Sequence, residues 1–230
     1  ETMYLVGDII DGWRLKKKVY WPPEHSDIVW RILKRAKRGT RIIYIPGNHD
    51  EMVRPFSGMN FGGVEIMRAA FHDTADGRRL MVLHGDEFDT IMLAHRWLAF
   101  VGDALYHVMM KLNNWVAAAR KRLGLPYWSI SRAAKHKVKN AVDFISKYEE
   151  VVARAAAERG VDGVVCGHIH TAEFRDFDGV EYWNDGDWVE GCNALVEHFD
   201  GSMEILNWPE EVARRDAGRH DVAVTVPEAA

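Results

Sequence analysis

Four short apolar segments of the chain each stop abruptly at a polar cluster. The segments end at Val6, Ile45, Leu83 and Cys166. Apolar runs of this length, bounded by turn residues, are typical of buried strands. A helical pattern over about 24–38 lies between the first two segments, which predicts a strand, helix, strand unit and an α/β fold. Open α/β sheets place their sites at the carboxyl ends of strands, so we expect the polar clusters to meet there.

The polar clusters contain residue types that bind metals. In chain order they are Gly7-Asp8-Ile9-Ile10-Asp11, Gly47-Asn48-His49-Asp50, His84-Gly85-Asp86 and Gly167-His168-Ile169-His170. Each alone is unspecific, because a lone His at a strand end is more often structural and Gly-Asn-His-Asp also suits a plain turn. Taken together, imidazoles, a carboxylate and an amide oxygen suit divalent transition metals.

The order of the clusters resembles a known family. Calcineurin-like metallophosphoesterases carry the pattern D-x-H, G-D-x-x-D, G-N-H-D/E, a lone H and G-H-x-H, and the last four occur here in that order across residues 7–170. The resemblance implies an α/β sandwich of two β-sheets flanked by helices, formed as a single domain over 1–230. It also implies a metal-dependent hydrolase that cleaves a phosphodiester or pyrophosphate bond with two divalent metal ions.

The resemblance assigns five metal ligands. Asp8 would bridge the two metals, and Asn48, His84 and His168 would complete one metal site. His170 would belong to the other site. The closest group within the family implies Mn²⁺, whereas the residue types alone also permit Zn²⁺ or iron.

Catalytic and supporting roles are implied in the same way. His49, oriented by Asp50, resembles the family's residue that steadies the phosphoryl group or protonates the leaving oxygen. Asp11 and Asp86 would lie behind the ligands and hold them or their loops in place.

The family's first motif is missing from the sequence. Its Asp and His, which would complete the site of His170, have no counterpart before Asp8. The chain begins at Glu1 rather than Met and shows no signal pattern, so we expect an upstream strand that carries this motif. If the gene began here instead, the lost metal site would favour a non-catalytic binding protein of the same fold.

Two features resemble the UDP-2,3-diacylglucosamine pyrophosphohydrolase group of the family. They are a helical insertion after His84-Gly85-Asp86 and the turn Asn184-Asp185-Gly186-Asp187-Trp188. That group cleaves the diphosphate of a lipid-linked UDP-sugar in lipid A biosynthesis. Its best-known branch commonly has Arg where His49 stands, so a paralogous branch that acts on a soluble nucleotide or another phosphodiester is the alternative.

The helical insertion, at about 92–147, is expected to form a lid. From 104 to 142 it has eight basic and no acidic residues, which leaves 22 basic against 34 acidic residues elsewhere, a formal charge of −12. An anionic partner is the favoured interpretation, either the phosphates of the substrate or an anionic membrane surface, and a solvated face is the alternative. The candidate substrate-binding residues are Arg132, Lys135, Lys137 and Lys139.

The lid also carries a long apolar stretch. Acyl chains of a substrate would cover it, or else a partner helix or the second chain of a homodimer would. A nucleic-acid partner is not expected, because no recognition helix or aromatic platform is visible.

The composition of the chain favours a cytoplasmic protein. No stretch reaches the ~18 uncharged apolar residues that a membrane-spanning helix needs. Two cysteines, Cys166 and Cys192, are too few for a disulfide framework, which favours a reducing compartment. Cytoplasmic localisation is therefore expected, with peripheral association at the inner membrane if the substrate is a lipid.

Overall fold

Residues 1–17, 20–89, 145 and 147–223 are described by the structure, a computed structural model, with side chains up to residue 216. The chain divides into two compact units, Glu1–Asp86 with Val152–Ala230, and Glu87–Val151. The predicted lid at 92–147 lies outside the described residues apart from 145 and 147. Arg132, Lys135, Lys137 and Lys139 also lie outside them, so their roles stay predictions.

The first sheet contains the predicted strand, helix, strand unit. Its strands are β1 (Thr2–Val6), β2 (Arg41–Ile45), β3 (Asn60–Phe61) and β4 (Val64–Ile66), in the order β1-β2-β4-β3. Helices α1 (Gly12–Lys17) and α2 (Pro23–Lys37) lie between β1 and β2 in the chain. The second of these begins with Pro23 in its first turn, where the missing N–H of proline costs no hydrogen bond. Strands β1 and β2 are parallel, as are β2 and β4.

A second, five-stranded sheet has the order β5-β6-β7-β9-β8. Its strands are β5 (Ala69–Asp73), β6 (Arg79–Leu83), β7 (Gly163–Cys166), β8 (Glu173–Phe177) and β9 (Val180–Asn184). Strands β6, β7 and β9 are mutually parallel neighbours, while β5 and β8 run antiparallel at the two edges. Strands β10 (Asn193–Glu197) and β11 (Met203–Asn207) form an antiparallel hairpin.

Further helices lie after β2, after β6, before β7 and after β11. Two 3₁₀ helices cover Glu51–Phe56 and Asp86–Phe88, residues 147–158 are helical (α3), and α4 covers Trp208–Ala223. Among the described residues, no helix combines the length and the apolar character needed to cross a membrane.

The core lies between the sheets. Ile43 and Ile45 of β2 pack with Leu80 and Val82 of β6, and Trp183 of β9 joins the same cluster. Strands β6 and β7 are buried from Leu80 to Leu83 and from Gly163 to Cys166, as expected for central strands with both faces covered. Two sheets with helices confirm the predicted α/β sandwich.

The C-terminal segment is helical although its composition after residue 210 is polar. The structure has helix α4 there, and the side-chain oxygen of Asn207 accepts a hydrogen bond from the N–H of Glu210 at 3.2 Å. Asn is a favoured N-cap, Pro209 fits the first turn, and Glu211 pairs with Arg215 one turn later at 2.6 Å. Capping signals therefore outweigh the polar composition.

Candidate metal centre

The parallel strands bring their polar ends together. Strands β1 and β2 of the first sheet end at Val6 and Ile45, and β6, β7 and β9 of the second sheet end at Leu83, Cys166 and Asn184. The loops that follow carry the residues singled out in the sequence. Within the second sheet, the backbone N–H of Gly167, after β7, donates to the carbonyl of His84, after β6, at 3.2 Å. Between the sheets, the ring of His84 contacts Asn48, after β2, at 3.2 Å.

His84 is the centre of this group. Its side chain is only 3% exposed, and its Nε2 lies 3.4 Å from Oδ2 of Asp8 and 3.2 Å from Oδ1 of Asn48. Its Nδ1 lies 3.3 Å from the carbonyl oxygen of Val6. The ring of His168 meets that of His84 edge to face, with 5.2 Å between the ring centroids. Four of the five predicted ligands are thus neighbours.

The charges around His84 favour a cation. Burial lowers the pKa of His84, but the hydrogen bond and charge of Asp8 outweigh burial and leave the pKa above its ordinary value. Burial likewise raises the pKa of Asp8, and the opposing effects of His84 and of the N–H of His49 leave that pKa below its ordinary value. The site thus stabilises an anionic Asp8 beside a positive charge.

The donor set fits a divalent metal. When Nδ1 of His84 donates its proton to the carbonyl of Val6, Nε2 presents a lone pair toward the oxygens of Asp8 and Asn48. Such an arrangement fixes the tautomer of a metal-binding histidine. Three acceptors facing one another need a proton or a metal ion between them. In the described ranges, no group of three His, Cys, Asp or Glu side chains is arranged around a metal position, and the close set seen here is Asp8 and His84 with the amide of Asn48.

Three predicted ligands have left-handed backbone conformations. The φ angles are +53° at Asp8, +66° at His168 and +55° at His170. Such angles are costly for residues with a Cβ, and they concentrate at functional sites. Gly7, with φ +73°, precedes Asp8, and a Cβ at this position would overlap the ring of His84. The backbone at Gly7 and Asp8 is therefore shaped to let this loop approach His84 closely.

His170 does not join the other four. It is exposed, and its described electrostatic neighbour is Asp187, whose pKa is lowered first by the backbone N–H of Glu190 and last by His170. Of the five predicted ligands, Asp8, Asn48, His84 and His168 are thus neighbours. In the family pattern, His170 belongs to the second metal site, together with the Asp and His of the first motif.

Asp50 organises the loops instead of orienting His49. It is fully buried, and its carboxylate accepts hydrogen bonds from the N–H groups of Ile9 at 2.9 Å and of Gly47 at 2.6 Å. It also accepts longer ones from Asp8 and Ile10, and one from the hydroxyl of Tyr44. The expectation that Asp50 orients His49 is corrected, because both of its oxygens are used by this network.

Asp11 is the carboxylate beside His49. Its Oδ1 lies 3.3 Å from Nδ1 of the His49 ring. The N–H of Arg14 first, and then the ring of His49, lower the pKa of Asp11. In the described part of the chain, no hydrogen bond is made by Nε2 of His49, so this nitrogen remains available to a substrate.

Asp86 lies next to the site without contacting a predicted ligand. Its Oδ2 accepts a hydrogen bond from the guanidinium of Arg54 at 2.6 Å. Its charge is the last contribution to the raised pKa of His84. Asp86 therefore acts on His84 through its charge.

Sequence reasoning missed Asp185. It follows β9 directly, and its N–H donates to the carbonyl of Cys166 at 3.0 Å. The residue is half-buried overall, but its carboxyl is enclosed, which raises the pKa of Asp185 to about 7 against the opposing charge of His84. Its position after the third parallel strand of the second sheet was the available signal.

Other described histidines lie in separate environments. His25, on α2, meets Trp21, His72 pairs with Glu197, and His198 pairs with Glu204. The described contacts of these three histidines are therefore with residues other than the predicted ligands.

The chain is similar to known phosphoesterases. The family model of calcineurin-like phosphoesterases matches residues 2–172. A UDP-2,3-diacylglucosamine hydrolase from Azotobacter vinelandii (strain DJ / ATCC BAA-1303) is 24% identical over 211 residues, which cover 86% of this chain and 84% of that protein. A solved archaeal phosphodiesterase is similar over 89% of this chain and 96% of its own, with 11% identity and a TM-score of 0.37.

The family match contains all four polar clusters and spans most of the chain. It confirms the resemblance seen in the motifs. The protein therefore belongs to the calcineurin-like phosphoesterase family.

Proposed function

We propose that the protein is a metal-dependent phosphohydrolase that cleaves a phosphodiester or pyrophosphate bond. The observation that supports this proposal is the convergence of Asp8, Asn48 and His84, with donor atoms 3.2–3.4 Å apart, next to His49. A lipid-linked UDP-sugar is the favoured substrate, because the curated relative is a UDP-2,3-diacylglucosamine hydrolase.

Two divalent metal ions, with Mn²⁺ favoured, are part of this proposal. Asp8, Asn48, His84 and His168 would hold one ion, and Asp8 and His170 would help to hold the other. When bound, such ions supply Lewis-acid polarisation of a phosphoryl oxygen and lower the pKa of a water molecule.

The proton donor of the proposed reaction is His49. Its Nδ1 faces the carboxylate of Asp11 at 3.3 Å. Its Nε2 makes no hydrogen bond to any described residue and can donate to the leaving oxygen. The N–H of His49 donates to Oδ1 of Asp8 at 2.8 Å, so a hydrogen bond links the backbone of the proton donor to a candidate metal ligand.

The lid has a substrate-binding role in this proposal. Arg132, Lys135, Lys137 and Lys139 would bind the phosphates of the substrate or the anionic surface of the membrane from which a lipid substrate is drawn. The protein would then act at the cytoplasmic face of that membrane.

Metal removal tests the proposal. The full-length protein is stripped with a chelator and supplied with Mn²⁺, Zn²⁺ or Fe²⁺. Hydrolysis is measured on UDP-2,3-diacylglucosamine, on a soluble UDP-sugar and on bis-p-nitrophenyl phosphate. We expect activity only with metal and the highest kcat/KM on the lipid-linked substrate.

A His84→Ala variant provides the matched control, because it should lose bound metal and activity together. Chelator-resistant turnover would contradict the metal-dependent reaction. Equal kcat/KM for the lipid-linked and the soluble UDP-sugar would contradict the lipid substrate alone.

A further inference from the structure

Three consecutive residues contact three different parts of His49. Oδ1 of Asp11 lies 3.3 Å from Nδ1 of the ring, and the N–H of Gly12 donates to the backbone carbonyl of His49 at 3.0 Å. The indole of Trp13 stacks on the imidazole, with ring centroids 4.2 Å apart and planes at 28°. The segment 11–13, at the start of α1, thus contacts the edge, the backbone and the face of one histidine.

The three contacts restrict different motions of the ring. The Gly12 contact fixes the backbone, and Asp11 holds one ring nitrogen at a distance that is long for a hydrogen bond. Rotation about χ2 of histidine has a broad energy minimum, so these two contacts leave the ring free to tilt. A flat aromatic face at stacking distance opposes that tilt. Trp13 is therefore the contact that fixes the plane of the imidazole.

Core packing does not explain the position of Trp13. The residue is 45% exposed at the start of a six-residue helix, and its indole N–H makes no hydrogen bond to a described residue. The close approach depends on Gly12, since a Cβ there would lie 2.7 Å from the carbonyl oxygen of His49. Lys16 and Glu51, 3.5 Å apart, also link α1 to the segment after Asp50.

We infer that Trp13 is a positioning residue, whose indole holds the His49 ring in the plane that leaves Nε2 open to the substrate. The inference rests on the proposed function, in which His49 donates a proton to the leaving oxygen. An aromatic pair stabilises one arrangement by ~0.5–1.5 kcal/mol, which corresponds to ~2- to 12-fold in a rate that depends on it.

Kinetics of Trp13 variants in the metal-loaded, full-length protein test the inference. Trp13→Leu should lower kcat by ~2- to 12-fold with KM and bound metal unchanged. Trp13→Phe should keep most of the rate, because a phenyl ring also stacks. The control is Trp30→Leu, since Trp30 is 67% exposed on α2 and has no ring contact with a described residue. This control should leave kcat unchanged.

A double variant separates positioning from substrate contact. If Trp13 acts only through His49, Trp13→Leu should have no further effect in a His49→Ala background. The loss should also be smaller for a p-nitrophenyl ester, whose leaving oxygen needs little protonation, than for the nucleotide diphosphate. A raised KM with unchanged kcat, or a further loss without His49, would overturn the inference.

A structural measurement makes the test independent of turnover. Ring protons over an indole face are shifted upfield in the NMR spectrum, and the His49 signals are identified by their disappearance in His49→Ala. They should move downfield in Trp13→Leu and stay in place in Trp30→Leu. Unmoved signals in Trp13→Leu would overturn the inference. Absence of metal-dependent turnover in the parent protein would overturn the proposed function and leave this spectral result standing.

Discussion

Asp50 connects two of the loops that carry candidate metal ligands, those of Asp8 and Asn48. Its carboxylate accepts N–H groups from the loop after β1 and from the loop after β2, and it is shielded from water. A buried donor that loses its acceptor costs more free energy than the bond contributes when formed. Burial first, and then Asp50, raise the pKa of Tyr44, so this hydroxyl remains a donor.

Asp50→Asn should therefore be strongly destabilising. The amide offers one acceptor oxygen, and its NH₂ group would face N–H donors. We expect the free energy of unfolding to fall by ~3 kcal/mol in urea titrations. The control, Tyr44→Phe, removes one donor and should cost ~1 kcal/mol. Equal effects of the two variants would show that the backbone contacts of Asp50 contribute little.

His49→Ala should impair turnover without releasing metal. Loss of a general acid or base lowers rates by ~100- to 10,000-fold, and the ring lies outside the Asp8, Asn48 and His84 set. Asp11→Asn, which keeps the shape but removes the charge at Nδ1, should cause a smaller loss. The measurements are kcat and bound metal by elemental analysis. Metal loss in His49→Ala would instead make His49 a ligand.

Single residues were predictable where a motif places them at a strand end. Asp8, Asn48, His84 and His168 were singled out in this way, and the structure brings them together. The partner of His49 was not predicted correctly. Asp50 is its neighbour in the sequence, and Asp11 belongs to the preceding motif, so both carboxylates were candidates. Only the three-dimensional path of the loop after β1 decides which carboxylate reaches Nδ1. Asp185 was not predicted as a site residue, because its motif was interpreted as a turn and not as the end of a strand.

Elements were predictable where apolar runs are continuous. The strands that end at Val6, Ile45, Leu83 and Cys166 have such runs, and β8 and β9 are joined by the Asp178-Gly179 turn, both residues of which have positive φ. Strands β3 and β4 have only two and three residues, so no period is visible in them. Helix α4 was missed because capping by Asn207 is a signal of one residue.

A histidine links elements of different sheets. Nδ1 of His72, on β5, contacts the hydroxyl of Tyr4, on β1, at 3.1 Å, and its Nε2 contacts Glu197, on β10, at 2.7 Å. The other oxygen of Glu197 accepts the N–H of Ala75 at 2.7 Å. The carboxylate thus holds the hairpin against the five-stranded sheet.

Glu197→Gln should weaken this link between elements. The amide loses the charge that strengthens both hydrogen bonds, so we expect the free energy of unfolding to fall by ~1–2 kcal/mol in thermal or urea denaturation. Glu204→Gln is the matched control, because Glu204 pairs with His198 at 2.8 Å within the hairpin and is more exposed. Its effect should be below ~1 kcal/mol. If Glu204→Gln lowered the free energy of unfolding as much as Glu197→Gln, the burial of Glu197 and its link between elements would not explain its effect.

The charge of the whole molecule is distributed unevenly along its sequence. The acid-free stretch 104–142 has eight positive charges, and the other residues together carry −12. A protein with this distribution can be repelled by an anionic surface as a whole and still be attracted to it through one segment. Attraction of this kind contributes ~1 kcal/mol per basic residue near an anionic leaflet and weakens as salt screens the charges.

Liposome flotation should therefore show salt-sensitive binding of the full-length protein to vesicles that contain anionic lipid. Replacement of Lys135, Lys137 and Lys139 with Glu should reduce the floated fraction at low salt, or raise KM for the lipid substrate. The control replaces Lys34, Lys37 and Arg38, near the end of α2, with Glu. This variant changes the net charge by the same amount and should have a smaller effect. If both triple variants lost the same floated fraction, net charge alone would govern binding. If neither variant lost any, and KM were also unchanged, the basic residues of the lid would form only a solvated face.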